Sequence, residues 1–213
     1  MKITLCILLP LLVVAAGLFA FMPGSAAQPS RDLPSAAAGH RILIAYFSRT
    51  GSNYVSGDIV DLPVGNTAAV AQLIHEKLGA DLFEIKTVKA YPADYHETTE
   101  LAKAEKNSSA RPAIVGSVDD MAQYDTIILG FPNWWGTMPM AVLSFLEQYD
   151  LSGKSILPLC THEGSGMGSS VRDLKKALPA SVIKNGLPIK GSRVYKKDAA
   201  IAGEVEAWLI ENL

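Results

Sequence analysis

The chain has 213 residues, of which 49% are hydrophobic, and its formal net charge is -2. This length suits a single domain with a substantial core. The near-neutral charge, without a basic stripe, argues against a nucleic-acid partner.

The N-terminal segment predicts export. Lys2 is followed by an apolar run over residues 3–22, and small residues up to Ala27 then resemble a signal-peptidase site. We predict a signal peptide over residues 1–27. Because ~20 apolar residues also suffice to span a bilayer, an uncleaved membrane anchor is the alternative. In both cases the folded part is expected outside the cytoplasm, either periplasmic or attached to a membrane through residues 3–22.

Residues 28–40 are predicted to be a flexible linker, and residues 41–213 to form the domain. Removal of the signal peptide takes away Lys2, which changes the formal charge from -2 to -3. Cys160 is then the only cysteine, so no internal disulfide is expected. Its place in a hydrophobic run predicts a buried thiol.

Strands and helices are predicted to alternate along this domain. Continuous or alternating apolar runs indicate strands, and apolar residues at helical spacing indicate helices. Gly79 ends the first helix, Ser170 and Asp173 resemble a capping box, and Asp198 caps the last helix. The predicted strands are residues 42–47, 81–88, 126–131, 155–160 and 181–189, the last interrupted at Asn185-Gly186, and the predicted helices lie around residues 70–78, 91–106, 139–146, 170–178 and 198–209.

This alternation indicates an α/β fold, a three-layer doubly wound parallel sheet of five strands. In such sheets, ligands bind beyond the carboxyl ends of the strands, at the switch point of the topology. The loops that follow the first, third and fourth strands are therefore expected to meet. These loops, residues 48–67, 132–138 and 161–169, are also the richest in Gly, Ser, Thr, Asn and Trp.

The first of these loops predicts an anion site. It joins a buried strand to the N-terminus of a helix, where backbone N–H groups and the positive end of the helix dipole favour an anion. The side chains of Ser48, Thr50, Asn66 and Thr67 add donors, so a single phosphate group is the expected occupant. The alternative is that these residues serve only as turn and cap residues.

With the three loops in this order, residues 41 to the C-terminus resemble the flavodoxin-like family. Tyr46–Gly51 is similar to the start of that family's phosphate loop, and Gly65–Thr67 is similar to its end. Ser52–Val64 separates the two pieces here, as in an exported branch of the family that this chain resembles. The resemblance implies the strand order 2-1-3-4-5 and FMN as the cofactor.

Two further segments, Pro132–Gly136 and Thr161–Gly166, are similar to the loops that flank the flavin in that family. Trp134 or Trp135 would stack on the flavin ring, and the glycine-rich backbone after His162 would approach its polar edge. The residues expected at the cofactor are Ser48, Arg49, Thr50, Asn66, Thr67, Ala68, Pro132, Asn133, Trp134, Trp135, Gly136, Thr161, His162, Glu163, Gly164, Ser165 and Gly166.

Several of these residues have an alternative interpretation. Arg49 either approaches the phosphate or faces solvent, and Glu163 is expected to be a solvated charge or a group that caps backbone N–H. His162 is expected to be a polar edge contact or a bystander rather than a proton donor. Tyr91, Tyr95 and His96 lie in a polar stretch that could overhang the site, but packing is their expected role. No metal is expected, because the four histidines lack metal-ligand spacing.

The resemblance implies electron transfer through FMN, without a catalytic side chain. The second flavin-flanking loop offers His162 but no aromatic residue, so one flavin face is expected to be open. This, with the small net charge, favours a reductase of a small acceptor such as a quinone, fed by NAD(P)H or a protein donor. The alternatives are a one-electron carrier and a binding module that has lost FMN because the insertion occludes the phosphate site.

Overall fold

A computed structural model describes residues 41–213. The predicted signal peptide, residues 1–27, and the predicted linker, residues 28–40, lie outside the described residues. The strands are β1 Ile42–Tyr46, β2 Gly51–Val55, β3 Asp58–Leu62, β4 Asp81–Glu84, β5 Thr126–Pro132, β6 Ser155–His162, β7 Val182–Ile183 and β8 Leu187–Lys190. The helices are α1 Asn66–Leu78, α2 Tyr95–Ser108, α3 Met140–Leu146, α4 Ser170–Ala177, α5 Gly191–Tyr195 and α6 Ala200–Asn212.

The main sheet is parallel, with β1 and β5 at its centre. Its strands run in the order β4-β1-β5-β6-β7, and β8 also pairs with β6. In the register, Ile44 of β1 faces Leu82 of β4 on one side and Ile128 of β5 on the other. If β7 and β8 are counted as one interrupted strand, the order is 2-1-3-4-5, which confirms the prediction. The gap between these two pieces contains Asn185-Gly186, as expected from the sequence.

Apolar side chains cover both faces of the sheet. On one face, Leu129 and Phe131 of β5 pack in a cluster with Phe145 of α3. On the other face, Ile128 of β5 packs with residues of α1 and α6 that include Val70, Ile74, Val205 and Leu209. Alternation along β5 thus sends neighbouring residues to opposite helix layers, which gives the predicted three-layer α/β fold.

Several local boundaries differ from the sequence prediction. The second strand of the sheet, β4, ends at Glu84 instead of residue 88, and Thr87 instead forms an isolated bridge with Ile114. The predicted capping box at Ser170 is wrong by one residue. Ser169 occupies the N-cap position and its hydroxyl donates to the Asp173 carboxylate at 2.6 Å.

The cores of the predicted helices are confirmed. Gly79 ends α1 in the left-handed conformation, with φ of 65°. At the start of α6 the N-cap position is Ala199, one residue after the predicted cap Asp198, whose carboxylate accepts the N–H of Ala200 at 3.0 Å. Helix α5 and the strands β2 and β3 were not predicted. These two strands form an antiparallel hairpin, the β2–β3 hairpin, that is separate from the main sheet.

Cys160 should be inert to thiol reagents in the folded protein. It is fully buried in β6, and this burial raises the pKa of its thiol to about 12, so the thiol stays protonated at pH 8. We expect iodoacetamide at pH 8 to label Cys160 at least about a hundred-fold more slowly in the native protein than in urea, as read by peptide mass spectrometry. Equal labelling rates in both conditions would contradict this burial.

Candidate functional site

One cavity of about 400 Å³ lies at the carboxyl ends of β1, β5 and β6. This is where the topology predicts ligand binding, and the size suits a small ligand or cofactor. Its wall contains residues from each of the three predicted loops and from the β2–β3 hairpin, α2 and the start of α5. The lining residues are Ser48, Arg49, Asn53, Tyr54, Asn66, Thr67, Tyr95, Thr98, Thr99, Ala102, Pro132, Asn133, Trp134, Trp135, Thr161, His162, Glu163 and Gly191.

The start of α1 forms one corner of the cavity. The hydroxyl oxygen of Ser48 accepts the N–H of Ala68 at 3.0 Å and so ties the loop after β1 to the first turn of the helix. The N–H groups of Asn66 and Thr67 have no partner inside the helix, and both residues line the cavity. This corner therefore offers the backbone donors and the helix dipole that an anion needs.

Gly65 makes this corner possible. A Cβ atom at this position would lie 2.3 Å from Ser48 Oγ and 2.4 Å from the carbonyl oxygen of Arg49. Only a residue without a side chain lets the two halves of the interrupted loop pack this closely. The pieces that the insertion separates in sequence are thus adjacent in the fold.

A buried hydroxyl pair joins α1 to β6 at the cavity wall. Thr67 Oγ1 and Thr161 Oγ1 lie 2.7 Å apart, and both residues are buried. One hydroxyl donates to the other, so the Thr67 side chain is engaged with the protein. Thr67 therefore contributes to the α1 corner mainly through its backbone N–H.

Valine substitutions should show how much this hydroxyl pair contributes to the free energy of unfolding. Thr67→Val leaves the hydroxyl of Thr161 buried without its partner, which costs about 1–3 kcal/mol of unfolding free energy. We expect the double variant Thr67→Val/Thr161→Val to lose less than the sum of the two single variants, as measured by urea unfolding of the FMN-free protein. Additive losses would show that the hydroxyls do not interact.

Arg49 is partly buried and lines the cavity. Its guanidinium donates to the backbone carbonyl oxygens of Ser52, Pro92, Ala93 and Asp94. These acceptors belong to the hairpin and to the segment before α2. Arg49 therefore fixes the base of the hairpin against that segment.

The β2–β3 hairpin extends from the loop after β1 to the loop after β6. At its turn, the N–H of Ser56 donates to Glu163 Oε2 at 3.3 Å, and the other carboxylate oxygen of Glu163 accepts the N–H of Ser192 in α5. Glu163 is thus a group that caps backbone N–H, one of the two roles expected for it. The insertion forms a wall of the cavity and leaves the cavity open.

The two tryptophans have different environments. Trp134 is half-buried and packs edge-on against Phe47 and Tyr91, with ring centroids 5.3 Å and 4.9 Å away. Trp135 is 44% exposed, and its indole N–H donates to the carbonyl of Thr99 at 2.8 Å. Both residues line the cavity, and Trp135 is the more exposed of the two.

The glycine-rich part of the third loop lies behind the cavity wall. Gly164, Ser165 and Gly166 do not line the cavity, and neither do Thr50, Ala68 and Gly136. The carbonyl oxygen of Gly166 accepts a hydrogen bond from the Asn133 side chain at 3.0 Å, which joins this loop to the loop after β5. His162 does line the cavity; its Nδ1 accepts the N–H of Gly164 at 2.9 Å, and burial lowers its pKa, which favours a neutral ring.

Sequence reasoning missed the lining residues that come from outside the three loops. Packing was the favoured role for Tyr95, with a place over the site as the alternative, and Tyr95 lines the cavity. Thr98, Thr99 and Ala102 follow it at helical spacing, so one face of α2 forms the wall, a pattern that the sequence contains. Gly191 of α5 also comes from outside the loops, whereas Asn53 and Tyr54 lie within the first loop but were not among the residues expected at the cofactor.

The donor set of the cavity fits the FMN that the resemblance implied. The α1 corner provides backbone N–H groups, hydroxyls and an amide for a phosphate, and a Cβ on Gly191 would lie 2.6 Å from Asn66 Nδ2, so this wall is formed by backbone. The aromatic rings of Trp134 and Trp135 suit a flat ring system. Within residues 41–213 no group of His, Cys, Asp and Glu side chains could hold a metal ion.

Comparison with known sequences and structures identifies relatives of this chain. The sequence model of the family described as flavodoxin matches residues 41–207. Solved structures from Bacteroides uniformis ATCC 8492 and Bacteroides eggerthii DSM 20697, both assigned as flavoproteins, are 29% identical, with TM-scores of 0.61 and 0.59. Each covers 76% of this chain and 98% of its own.

A more distant structure shows the same fold. It is a flavoprotein from Lactobacillus acidophilus NCFM in complex with FMN, 21% identical with a TM-score of 0.55, covering 74% of this chain and 97% of its own. No protein of curated function matches the sequence. Among the helices within residues 41–213, none is long and apolar enough to cross a membrane.

Proposed function

Because the chain belongs to the flavodoxin family, we propose that it binds FMN in this cavity and transfers electrons to a small acceptor such as a quinone. The observation that carries the proposal is the convergence of the three predicted loops on one cavity that joins a helix N-terminus to two tryptophans. When bound, FMN supplies reversible uptake and release of electrons.

The residues of the cavity divide between the two ends of such a ligand. The backbone of Asn66 and Thr67, with the Asn66 amide and the Ser48 hydroxyl beside it, would hold the phosphate. The ring would lie against Trp134 or Trp135, and the backbone around Thr161 would face its polar edge. These assignments rest on which side chains and N–H groups line the cavity.

The remaining cavity groups support a binding role over acid–base or nucleophilic chemistry. The charged side chains that line the cavity, Arg49 and Glu163, are both engaged with backbone groups. The pKa of His162 is lowered by burial, and its Nδ1 already accepts an N–H. The protein would thus bind and orient the cofactor and limit the access of water, without a catalytic side chain.

The loop after β6, residues 161–169, contains no aromatic residue to cover a second flavin face. This and the small net charge favour a reductase of a small acceptor over a carrier that docks a charged protein partner. The donor in this proposal is NAD(P)H or a protein. The location outside the cytoplasm is likewise a proposal, which rests on Lys2 and the apolar run over residues 3–22.

Anaerobic reduction tests this function. The FMN-loaded protein is reduced with NADH, NADPH or dithionite, and a quinone is then added while the visible flavin absorbance is followed. Loss of the absorbance and its stoichiometric recovery by the quinone support a reductase; reduction without recovery by any small acceptor contradicts it. In a potentiometric titration, two separated one-electron steps would instead favour the carrier.

A further inference from the structure

Three aromatic rings form a cluster that begins at the cavity wall. The Trp134 ring lies edge-on against those of Phe47 and Tyr91, and the Phe47 and Tyr91 centroids are 5.7 Å apart. Of the three residues, only Trp134 lines the cavity. Tyr91 belongs to the segment between β4 and α2. The cluster therefore leads from the cavity wall toward α2.

The hydroxyl of Tyr91 has a proton acceptor in place. It donates to Glu105 Oε2 of α2 at 2.7 Å, a distance that allows direct proton transfer. Burial raises the pKa of Glu105, which makes its carboxylate a stronger base than an exposed one. Burial and the hydrogen bond to Glu105 raise the pKa of Tyr91, so the phenol keeps its proton as long as the ring is not oxidised.

This arrangement suits the chemistry of tyrosine oxidation. A tyrosine that loses an electron also loses its phenolic proton, because the phenol radical cation is a strong acid. A base already hydrogen-bonded to the hydroxyl therefore lowers the barrier to oxidation. At neutral pH an oxidised indole is a stronger oxidant than a tyrosyl radical. An electron thus passes from Tyr91 to an oxidised Trp134, since the two rings are in contact.

We propose that Trp134, Tyr91 and Glu105 form a radical-transfer path that carries an oxidising equivalent from the cavity wall to α2. A one-electron oxidant in the cavity, such as a light-excited flavin, removes an electron from Trp134. The Trp134 radical cation takes an electron from Tyr91, and the phenolic proton moves to Glu105 Oε2. The products are neutral Trp134, a neutral tyrosyl radical and a protonated Glu105, so electrons, protons and charge balance.

The path protects the cavity, because the radical leaves its wall. Tyr91 borders a second cavity, of about 360 Å³, on the other side of the loop after β1. A small reductant in solution, such as a thiol, reaches the tyrosyl radical there and returns the electron. Glu105 then gives the proton back to the phenol, and the path is restored.

Pulse radiolysis of the protein without added flavin tests the path. The probe is the azide radical, a one-electron oxidant that reacts preferentially with tryptophan. In the wild type, the tryptophan radical absorbance should decay while the tyrosyl radical absorbance rises, in one first-order phase that is independent of protein concentration. Trp134→Phe and Tyr91→Phe should each remove most of this phase. Glu105→Gln should slow it at least about tenfold, because glutamine can accept the hydrogen bond but not keep the proton.

Tyr124→Phe is the matched control. The Tyr124 hydroxyl also donates to a carboxylate, Asp81 Oδ2, at 2.8 Å. Tyr124 precedes β5, however, and so lies at the opposite end of the sheet from the cavity. This variant should leave the rate and the amplitude of the phase unchanged.

Two results would overturn the inference. An undiminished phase in Tyr91→Phe would show that the radical reaches a different tyrosine. An unchanged rate in Glu105→Gln would show that the carboxylate does not take the proton. Urea unfolding of each variant verifies that a lost phase does not reflect a lost fold. Because no flavin is present, failure of FMN binding would leave this inference standing, and failure of the path would leave the proposed function standing.

Discussion

Gly65→Ala is expected to reduce FMN affinity at least about a hundred-fold, or about 2.7 kcal/mol. The added Cβ would lie 2.3 Å from Ser48 Oγ and 2.4 Å from the Arg49 carbonyl oxygen, which is less than van der Waals contact. The loop after β1 must therefore move away from the start of α1. That movement breaks the bond between Ser48 Oγ and the Ala68 N–H and opens the corner expected to hold the phosphate.

Flavin fluorescence titration measures this loss, and Gly203→Ala is the matched control. Gly203 lies inside α6, and a Cβ there meets nothing within 4 Å. This control should keep wild-type FMN affinity and gain about 0.5–1 kcal/mol of stability from better helix propensity. Wild-type FMN affinity in Gly65→Ala would contradict the placement of the phosphate at this corner.

Phe145→Ala is expected to lower the free energy of unfolding by about 3–5 kcal/mol. Phe145 is fully buried in α3, and its ring lies 5.4 Å from that of Phe83 and 5.2 Å from that of Tyr149. Removing the ring leaves a cavity in the cluster that holds α3 against the sheet. The loss is large beside the total stability of a typical domain, about 5–15 kcal/mol.

Urea unfolding of the FMN-free protein measures this change. Phe145→Leu is the matched control, because it keeps most of the side-chain volume and should lose less than half as much. A loss below about 1 kcal/mol in Phe145→Ala would show that this layer is loosely packed. FMN affinity should change little in either variant, since Phe145 does not line the cavity.

The central strands and their order could be predicted because their signal is local and strong. β1 and β5 are nearly continuous apolar runs buried on both faces, and such runs occur in parallel sheets covered by helices. Because these strands are parallel, the topology alone places their carboxyl ends at one edge of the sheet. The convergence of the loops that contain Ser48, Trp134 and Thr161 was predictable for the same reason.

The hairpin and α5 could not be predicted with the same certainty. β2 and β3 are five residues each, and only the last residue of each is buried. Their sequences therefore lack a clear alternation of apolar and polar residues. The turn at Ser56-Gly57, where both residues have positive φ, was the available signal. Helix α5 is only five residues long, which is too short for helical periodicity to appear.

The roles of single polar side chains depended on contacts distant in sequence. Arg49 donates to carbonyls more than 40 residues away, and Glu163 accepts the N–H of Ser56 from 107 residues away. Residue spacing does not predict such contacts, because the partner is a backbone carbonyl or N–H group, which nearly any residue type can supply. For the same reason Tyr95 was expected to pack, although the arrangement of the hairpin and α2 places it on the cavity wall.

Paired titrations of the wild-type protein with FMN and with riboflavin, followed by quenching of flavin fluorescence, test the central claim most directly. The two ligands share the ring system and differ in the phosphate, so their ratio isolates the α1 corner. The account predicts a micromolar or tighter Kd for FMN and at least about a hundred-fold weaker binding of riboflavin. Equal affinities, or no binding of either flavin, would contradict it.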